Sequence, residues 1–298
     1  MTDPNEESHG DVLIADVCTA EFGWELMCWQ GYVRAQAARY QTLVVCSPAG
    51  HEPLYADMSP RFVPHLIEGL RDCWRMKKIE TDKEERRAHE EIDAIERQYV
   101  ADGRHVTRIA PFGFIPITEQ SFIPFGSRSR AESNGIAFDI AVHARTKKGK
   151  NPLLNSLNWS QKNWNRLVSG LKDLGFTVAA IGTKDASLVP DGAVDLQGRD
   201  LQTVMDVVAA SRLCIGPSSG PMHLASLCHT HHVVWVPPMH GKEAHAWGVT
   251  RARYETIWNP FNTPYTVLEL GGKSDPALLL ETTHHVLKAQ SVEEQARQ

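Results

Sequence analysis

Residues 212–227, RLCIGPSSGPMHLASL, run from a short apolar stretch through a turn of Gly216, Pro217, Ser218, Ser219, Gly220 and Pro221 into a helix-forming stretch that carries Met222 and His223. Gly216 and Gly220 permit a backbone approach that a side chain would block, and Pro221 suits the first turn of a helix. The free N–H groups of such a turn favour an anion such as a diphosphate, and the two serine hydroxyls add donors. The pattern is neither GxxxxGK[ST] nor GxGxxG, so a plain strand-to-helix turn is the competing interpretation.

Other loops strengthen the anion reading. HARTKKGK (143–150) places Arg145, Lys147, Lys148 and Lys150 directly after an apolar run, where cations bind phosphate as point charges or, for arginine, bidentately. A solvated basic loop is the alternative. AAIGTKD (179–185) adds Gly182 and Thr183, and VDLQGRDLQ (194–202) adds Leu196 and Gly198. Near the N-terminus, VCTAEFGWELMCWQG (17–31) offers two carboxylates, Glu21 and Glu25. A carboxylate beside Phe22 and Trp24 is expected to have a raised pKa suited to accepting a hydroxyl proton; the alternative is an acidic residue complementing a helix N-terminus.

The sequence holds no D-x-D pair to anchor a metal on a diphosphate, so cations and helix N–H groups are left to neutralise a leaving group. HTHH (229–232) and THH (283–285) lack acidic or cysteine partners at ligand spacing, and no metal is expected. His240 and Lys242, in MHGKEAHAWG, are weaker candidates for closing over a ligand, and WNPFNTPY (258–265) reads as a return crossing between domains.

These loops need a frame. DVLIADV (11–17), a helical period over WELMCWQGYVRAQAARY and the strand QTLVVCSP (41–48) predict a βαβ opening and a parallel sheet. Residues 71–100 mix both charge signs, predicting a solvated helical arm or helix pair, with a substrate-facing lid as the alternative. Residues 113–135 are rich in Pro, Gly and Ser, which puts an interdomain linker near 126–134. A second alternation follows: IAFDIAVHA, FTVAAIG, RLCIG and HVVWVPP as strands, with NWNRLVSGLKDLG, LQTVMDVVAAS and PMHLASLCH as helices. Two Rossmann-like α/β domains are predicted, at 1–128 and 135–274. A terminal helix, 275–298, N-capped by Asp275, is expected to fray after about 290 and to pack back toward the first domain.

With 298 residues, 42% of them hydrophobic, the chain is long enough for two cores, and a formal charge of −5 excludes a bulk basic surface. The six cysteines show no CxxC or zinc-type spacing and read as buried thiols. With no signal-like or membrane-length apolar run, the expectation is a soluble, cytoplasmic protein without integral membrane association.

The order WNRL … GFTVAAIG … VDLQGRDLQTVMDVVAASRLCIGPSSGPMHLASL, over 159–228, resembles the heptosyltransferases, glycosyltransferase family nine. The resemblance implies a GT-B fold, two Rossmann-like domains with parallel sheets facing a central cleft, that close to assemble the site. It implies a nucleotide diphosphate sugar as donor, its diphosphate at Gly216, Ser218, Ser219, Gly220, Met222 and His223, its base and ribose near Gly182, Thr183, Leu196 and Gly198, and phosphate contacts from Arg145 with Lys147 or Lys148. His223 would stabilise the leaving diphosphate or merely pack the helix. The first domain would bind a hydroxyl acceptor, with Glu25 or Glu21 standing where the family carries an aspartate base, although here Trp24 separates Gly23 from Glu25. Transfer would be inverting and metal-independent. A modified pyrimidine in DNA is a second acceptor class, needing a basic surface for which Arg71, Arg75, Lys77, Lys78, Arg86 and Arg87 are candidates. A nucleotide-sugar epimerase and an inactive sugar-nucleotide-binding protein share the same donor requirements.

Overall fold

The computed structural model describes residues 11–67, 78–146, 155–237, 251–270 and 275–296. The chain divides into two units, Met1–Phe122 and Ile123–Gln298. Each is an all-parallel sheet with its own apolar core.

In the first unit, β1 (Val12–Ala15) is wholly buried, as an apolar run in the interior of a parallel sheet should be. It pairs in parallel with β2 (Thr42–Pro48) on one side and β4 (Val106–Ile109) on the other, and β3 (Arg61–His65) flanks β2. The order is therefore β3-β2-β1-β4. Between β1 and β2 the chain makes a helical turn at Phe22–Trp24, a π-helical turn at Glu25–Trp29 and helix α1 (Gln30–Ala37).

The charged stretch is not a solvated arm. Its described part is one helix, α2 (Lys78–Ala101), that crosses from β3 to β4. Ala88, Ile92 and Ile95 are buried against Val12, Ile14, Val44 and Val63. Apolar positions four and three apart make one stripe that the charge-rich average conceals.

In the second unit, β5 (Ile140–Val142) has β6 (Val178–Ala180) and then β7 (Val194–Asp195) on one side. On the other side lie β8 (Leu213–Pro217), β9 (His232–Val236) and β10 (Tyr265–Glu269). The order β10-β9-β8-β5-β6-β7 reverses direction between β5 and β8. The helices are α3 (Arg128–Ser133), α4 (Gln161–Asp173), α5 (Leu201–Ala210), α6 (Gly220–Leu227), α7 (Arg251–Thr256) and α8 (Pro276–Ala296).

Residues 126–134, expected as linker, contain α3. Ser127 caps it by accepting from the Arg130 N–H, and Arg130 grips the buried Asp206 of α5 with two hydrogen bonds. The tail helix α8 also differs from expectation. Leu279 and Leu287 belong to the second unit's core, and the helix runs to Ala296. Asp275 accepts from the Ala277 N–H at its start. Cys18, Cys28, Cys46, Cys214 and Cys228 are buried, and Cys73 lies outside the described residues. No described helix is long and apolar enough to cross a membrane.

Candidate functional site

In an open parallel sheet, ligands bind beyond the carboxyl ends of strands where the strand order reverses. In the second unit that point lies between β5 and β8, and the loops that leave these strands meet there. His143, just past β5, has Nδ1 2.9 Å from the Ser219 hydroxyl. Ser219 Oγ donates to the Pro217 carbonyl at 2.8 Å, so its one proton is used and His143 Nδ1–H is the donor between the pair. Burial, with a further push from the Arg145 charge, lowers the His143 pKa to about 3. The ring is neutral at ordinary pH.

The turn itself has unsatisfied capacity. No backbone hydrogen bond among the described residues engages the N–H of Ser219 or Gly220. Ser219 occupies the N-cap position of α6, yet its side chain does not cap, because it is turned toward Pro217 and His143. Ser218 Oγ and His223 Nδ1 are buried without a hydrogen-bond partner among the described residues, and buried polar atoms in a folded protein are generally partnered. The N–H groups and helix dipole favour an anion here.

His223 is not a cation. Burial, and then the neighbouring His232, lower its pKa to about 3, and its ring lies between Tyr254 (centroids 5.7 Å apart) and Trp258 (4.3 Å). What it offers a ligand is a neutral ring nitrogen. Gly216 also has a different use from the expected one: a Cβ there would lie 2.8 Å from Met222 Sδ and 3.2 Å from His143 Cβ, so its bareness lets those two side chains close over the strand end. Met222 is buried, and its carbonyl accepts from Tyr254 OH at 3.1 Å.

Gly182, Thr183, Leu196 and Gly198 are brought together beside this turn. Leu196 N–H donates to Ala180 O and Gly198 N–H to Gly182 O, each at 2.9 Å. Gly182 has φ +131°, and a Cβ would lie 2.5 Å from Ser187 Oγ and 3.0 Å from His143 Cδ2. Arg145 forms a β-bridge with Ser187, and its guanidinium donates to Asn158 Oδ1 at 2.6 Å. Asn158 sits between Leu157 and Trp159, both in the core with Trp164 and Trp235. The tryptophan cluster thus fixes the residue that orients Arg145. Lys147, Lys148, Lys150, His240 and Lys242 lie outside the described residues.

The first unit assembles a second group at the carboxyl ends of β1 and β2. Glu21 is exposed, and its carbonyl accepts the N–H groups of Trp24 and Glu25, opening the helical turn. Glu25 is fully buried. Its Oε1 accepts from the Ser47 hydroxyl and from Tyr55 OH at 2.8 Å, and its Oε2 lies 2.6 Å from His51 Nδ1. Desolvation alone would raise its pKa as expected from sequence. The His51 charge and the hydrogen bonds from His51, Ser47 and Tyr55 outweigh it, and the carboxyl lies below its usual range. His143, Ser47, His51 and Tyr55 escaped the sequence reading; the one available signal was their place at or beyond the carboxyl ends of apolar strands.

Of the basic-surface candidates, Arg87 pairs with Glu84 and Glu91, Arg86 is exposed, and Arg71, Arg75, Lys77 and the Lys78 side chain lie outside the described residues. Among the described residues, no three His, Cys, Asp or Glu side chains are grouped to hold a metal ion. His232 is buried in β9, and His229 packs at a tilt against Phe261.

Two parallel-sheet α/β units with a glycine-lined turn at a strand reversal define the GT-B fold class. The solved structures that share it include ADP-heptose LPS heptosyltransferase II of E. coli, with TM-score 0.58 and 15% identity over 94% of this chain and 99% of that one. They also include a glycosyl transferase family 9 protein of Veillonella parvula (TM-score 0.52, 11% identity, 88% of this chain and 86% of that one). Heptosyltransferase WaaC of E. coli, solved with ADP, matches with TM-score 0.52 and 11% identity over 92% of this chain and 99% of that one. The resemblance carried by residues 159–228 is thus met at the level of the fold. No protein-family model matches the chain, and no curated protein matches it in sequence.

Proposed function

We propose that the protein is a glycosyltransferase that moves a sugar from a nucleotide diphosphate sugar to a hydroxyl acceptor, inverting at the anomeric carbon and using no metal. The observation that carries the reading is the 216–223 turn. It combines N–H groups of Ser219 and Gly220, and the Ser218 hydroxyl and His223 nitrogen, that find no hydrogen-bond partner among the described residues, at the reversal point of a parallel sheet. The diphosphate is held on this turn, with Arg145 alongside, and the nucleoside rests on the loops of Gly182, Thr183, Leu196 and Gly198. The N–H groups and Arg145 stabilise the departing diphosphate in place of a divalent cation. The first unit carries the acceptor side and its base. The heptosyltransferase fold shared by both units, with a WaaC structure described as containing ADP, supports this assignment of donor class.

The test is a thermal-shift panel of nucleoside diphosphates and their sugars without added metal, on the wild type and on Ser219→Ala. Stabilisation that follows one base, roughly 2.7 kcal/mol at 100 times the dissociation constant, and weakens in Ser219→Ala is the expected result. Indifference to every nucleotide refutes the donor site.

A further inference from the structure

We propose that His51, oriented by Glu25, is the general base that activates the acceptor hydroxyl; the inference rests on the glycosyltransferase reading above. Glu25 cannot do this directly, since it is fully buried and its two oxygens are occupied by Ser47, Tyr55 and His51. His51 is differently placed. It retains 7% exposure, and Nε2 has no hydrogen-bond partner among the described residues and is not sealed from solvent.

The tautomer follows from the partner. A carboxylate only accepts, so the 2.6 Å contact has His51 Nδ1 donating, and whenever the ring is unprotonated its lone pair is left at Nε2. A carboxylate holding Nδ1–H while Nε2 is left unpartnered is the arrangement by which an imidazole removes a hydroxyl proton and is stabilised as it becomes charged. The location agrees, because both residues leave the carboxyl ends of adjacent parallel strands, β1 and β2.

The loop is also held rigidly. Arg34, on α1, donates to both carboxylate oxygens of Asp57 at 2.8 and 2.9 Å and to the Leu54 carbonyl at 2.9 Å. It donates further to Gln30 and to the Ser121 carbonyl. This clamp fixes residues 52–58 and with them Tyr55. Phe22 packs on the His51 ring with centroids 5.4 Å apart. A reacting group needs such support to hold its geometry.

In the step itself, the acceptor oxygen bonds to the anomeric carbon of the donor sugar while its proton passes to His51 Nε2. The bond from that carbon to the diphosphate oxygen breaks, and its electron pair leaves with the nucleoside diphosphate. His51 then returns the proton to solvent.

The experiment measures nucleoside diphosphate release with water as acceptor, using the sugar nucleotide that most stabilises the wild type. His51→Ala is expected to lower kcat by roughly 10²- to 10⁴-fold with little change in KM for the donor, and added imidazole to restore part of the rate. Glu25→Gln keeps the shape but removes the charge, and should lower kcat in the same direction with nucleotide binding retained. If Glu25→Gln does not fold, His51→Gln carries the test. A merely structural staple predicts a lower melting temperature, no imidazole rescue and no selective loss of kcat. Nucleotide binding with an undiminished rate in His51→Ala, or with no turnover by the wild type, overturns the base assignment and leaves the donor site standing. A wild type that binds no nucleotide overturns the reading beneath it.

Discussion

At the scale of single residues, the loops beside the β5–β8 reversal depend on close backbone approaches. Gly182 illustrates this: its φ of +131° and the 2.5 Å that would separate a Cβ from Ser187 Oγ leave no room for a side chain. Gly175, with φ +89° and nothing within 4 Å, supplies a control in which only the backbone conformation is strained. Gly182→Ala should cost roughly 1–3 kcal/mol, more than Gly175→Ala, and should also weaken nucleotide stabilisation by displacing His143. Thermal melting of the two variants, with and without nucleoside diphosphate, decides the matter. Equal losses in both would show that the contact with Ser187 and His143 is unimportant. The motif around 216–223 was legible residue by residue, whereas the histidines that complete both groups were not. His143 and His51 owe their hydrogen-bond contacts to neighbours 76 and 26 positions away in sequence, which no local spacing reveals.

Among the elements, α2 shows how a charged sequence can hide an embedded helix. Its buried stripe of Ala88, Ile92 and Ile95 packs on the first sheet, while Arg86 and Arg87 remain outside. Ile92→Ala should therefore destabilise the protein by about 2–5 kcal/mol, while Arg86→Ala should stay within about 0.5 kcal/mol. Denaturant titration of both variants tests this, and comparable losses would argue that the helix is not anchored by its apolar stripe. The π-helical turn at Glu25–Trp29 belongs to this scale too. The helical period of WELMCWQG was readable, but the local widening at Glu25 was not, because tertiary contacts can override the helix's own preference.

For the whole molecule, the two units have separate cores and different responses to acid. Burial lowers the pKa of His143 and His223 to about 3 and of His232 to about 4, with Arg145 adding to the first and His232 to the second. All three belong to the second unit. The unfolded chain, with ordinary histidines near 6.5, binds more protons than the native state between those values, so stability falls as pH drops below about 6.5. Near pH 5 three such groups give a slope of up to about 4 kcal/mol per pH unit. Glu25 acts with the same sign in a more acidic window: its depressed pKa contributes stability at higher pH that is lost only as acid protonates the carboxylate below its usual range. Urea unfolding at pH 7, 6 and 5 should show a steep loss of second-unit stability. A flat profile would show that these rings are not held neutral.

The sequence by itself determined the alternation of buried strands and amphipathic helices, the division into two α/β units and the glycine–serine turn at 216–221, because hydrophobic period and turn chemistry act locally. The tertiary structure alone decided what those pieces do together. It placed α3 in the expected linker and the tail helix in the second core, since Asp206 and the apolar side of α4 were waiting for them. It also buried Glu25 among three donors and brought His51 to its side. The reason is physical: a residue's desolvation and hydrogen-bond partners are set by strands that become neighbours only when the sheet closes, and those two quantities govern its chemistry.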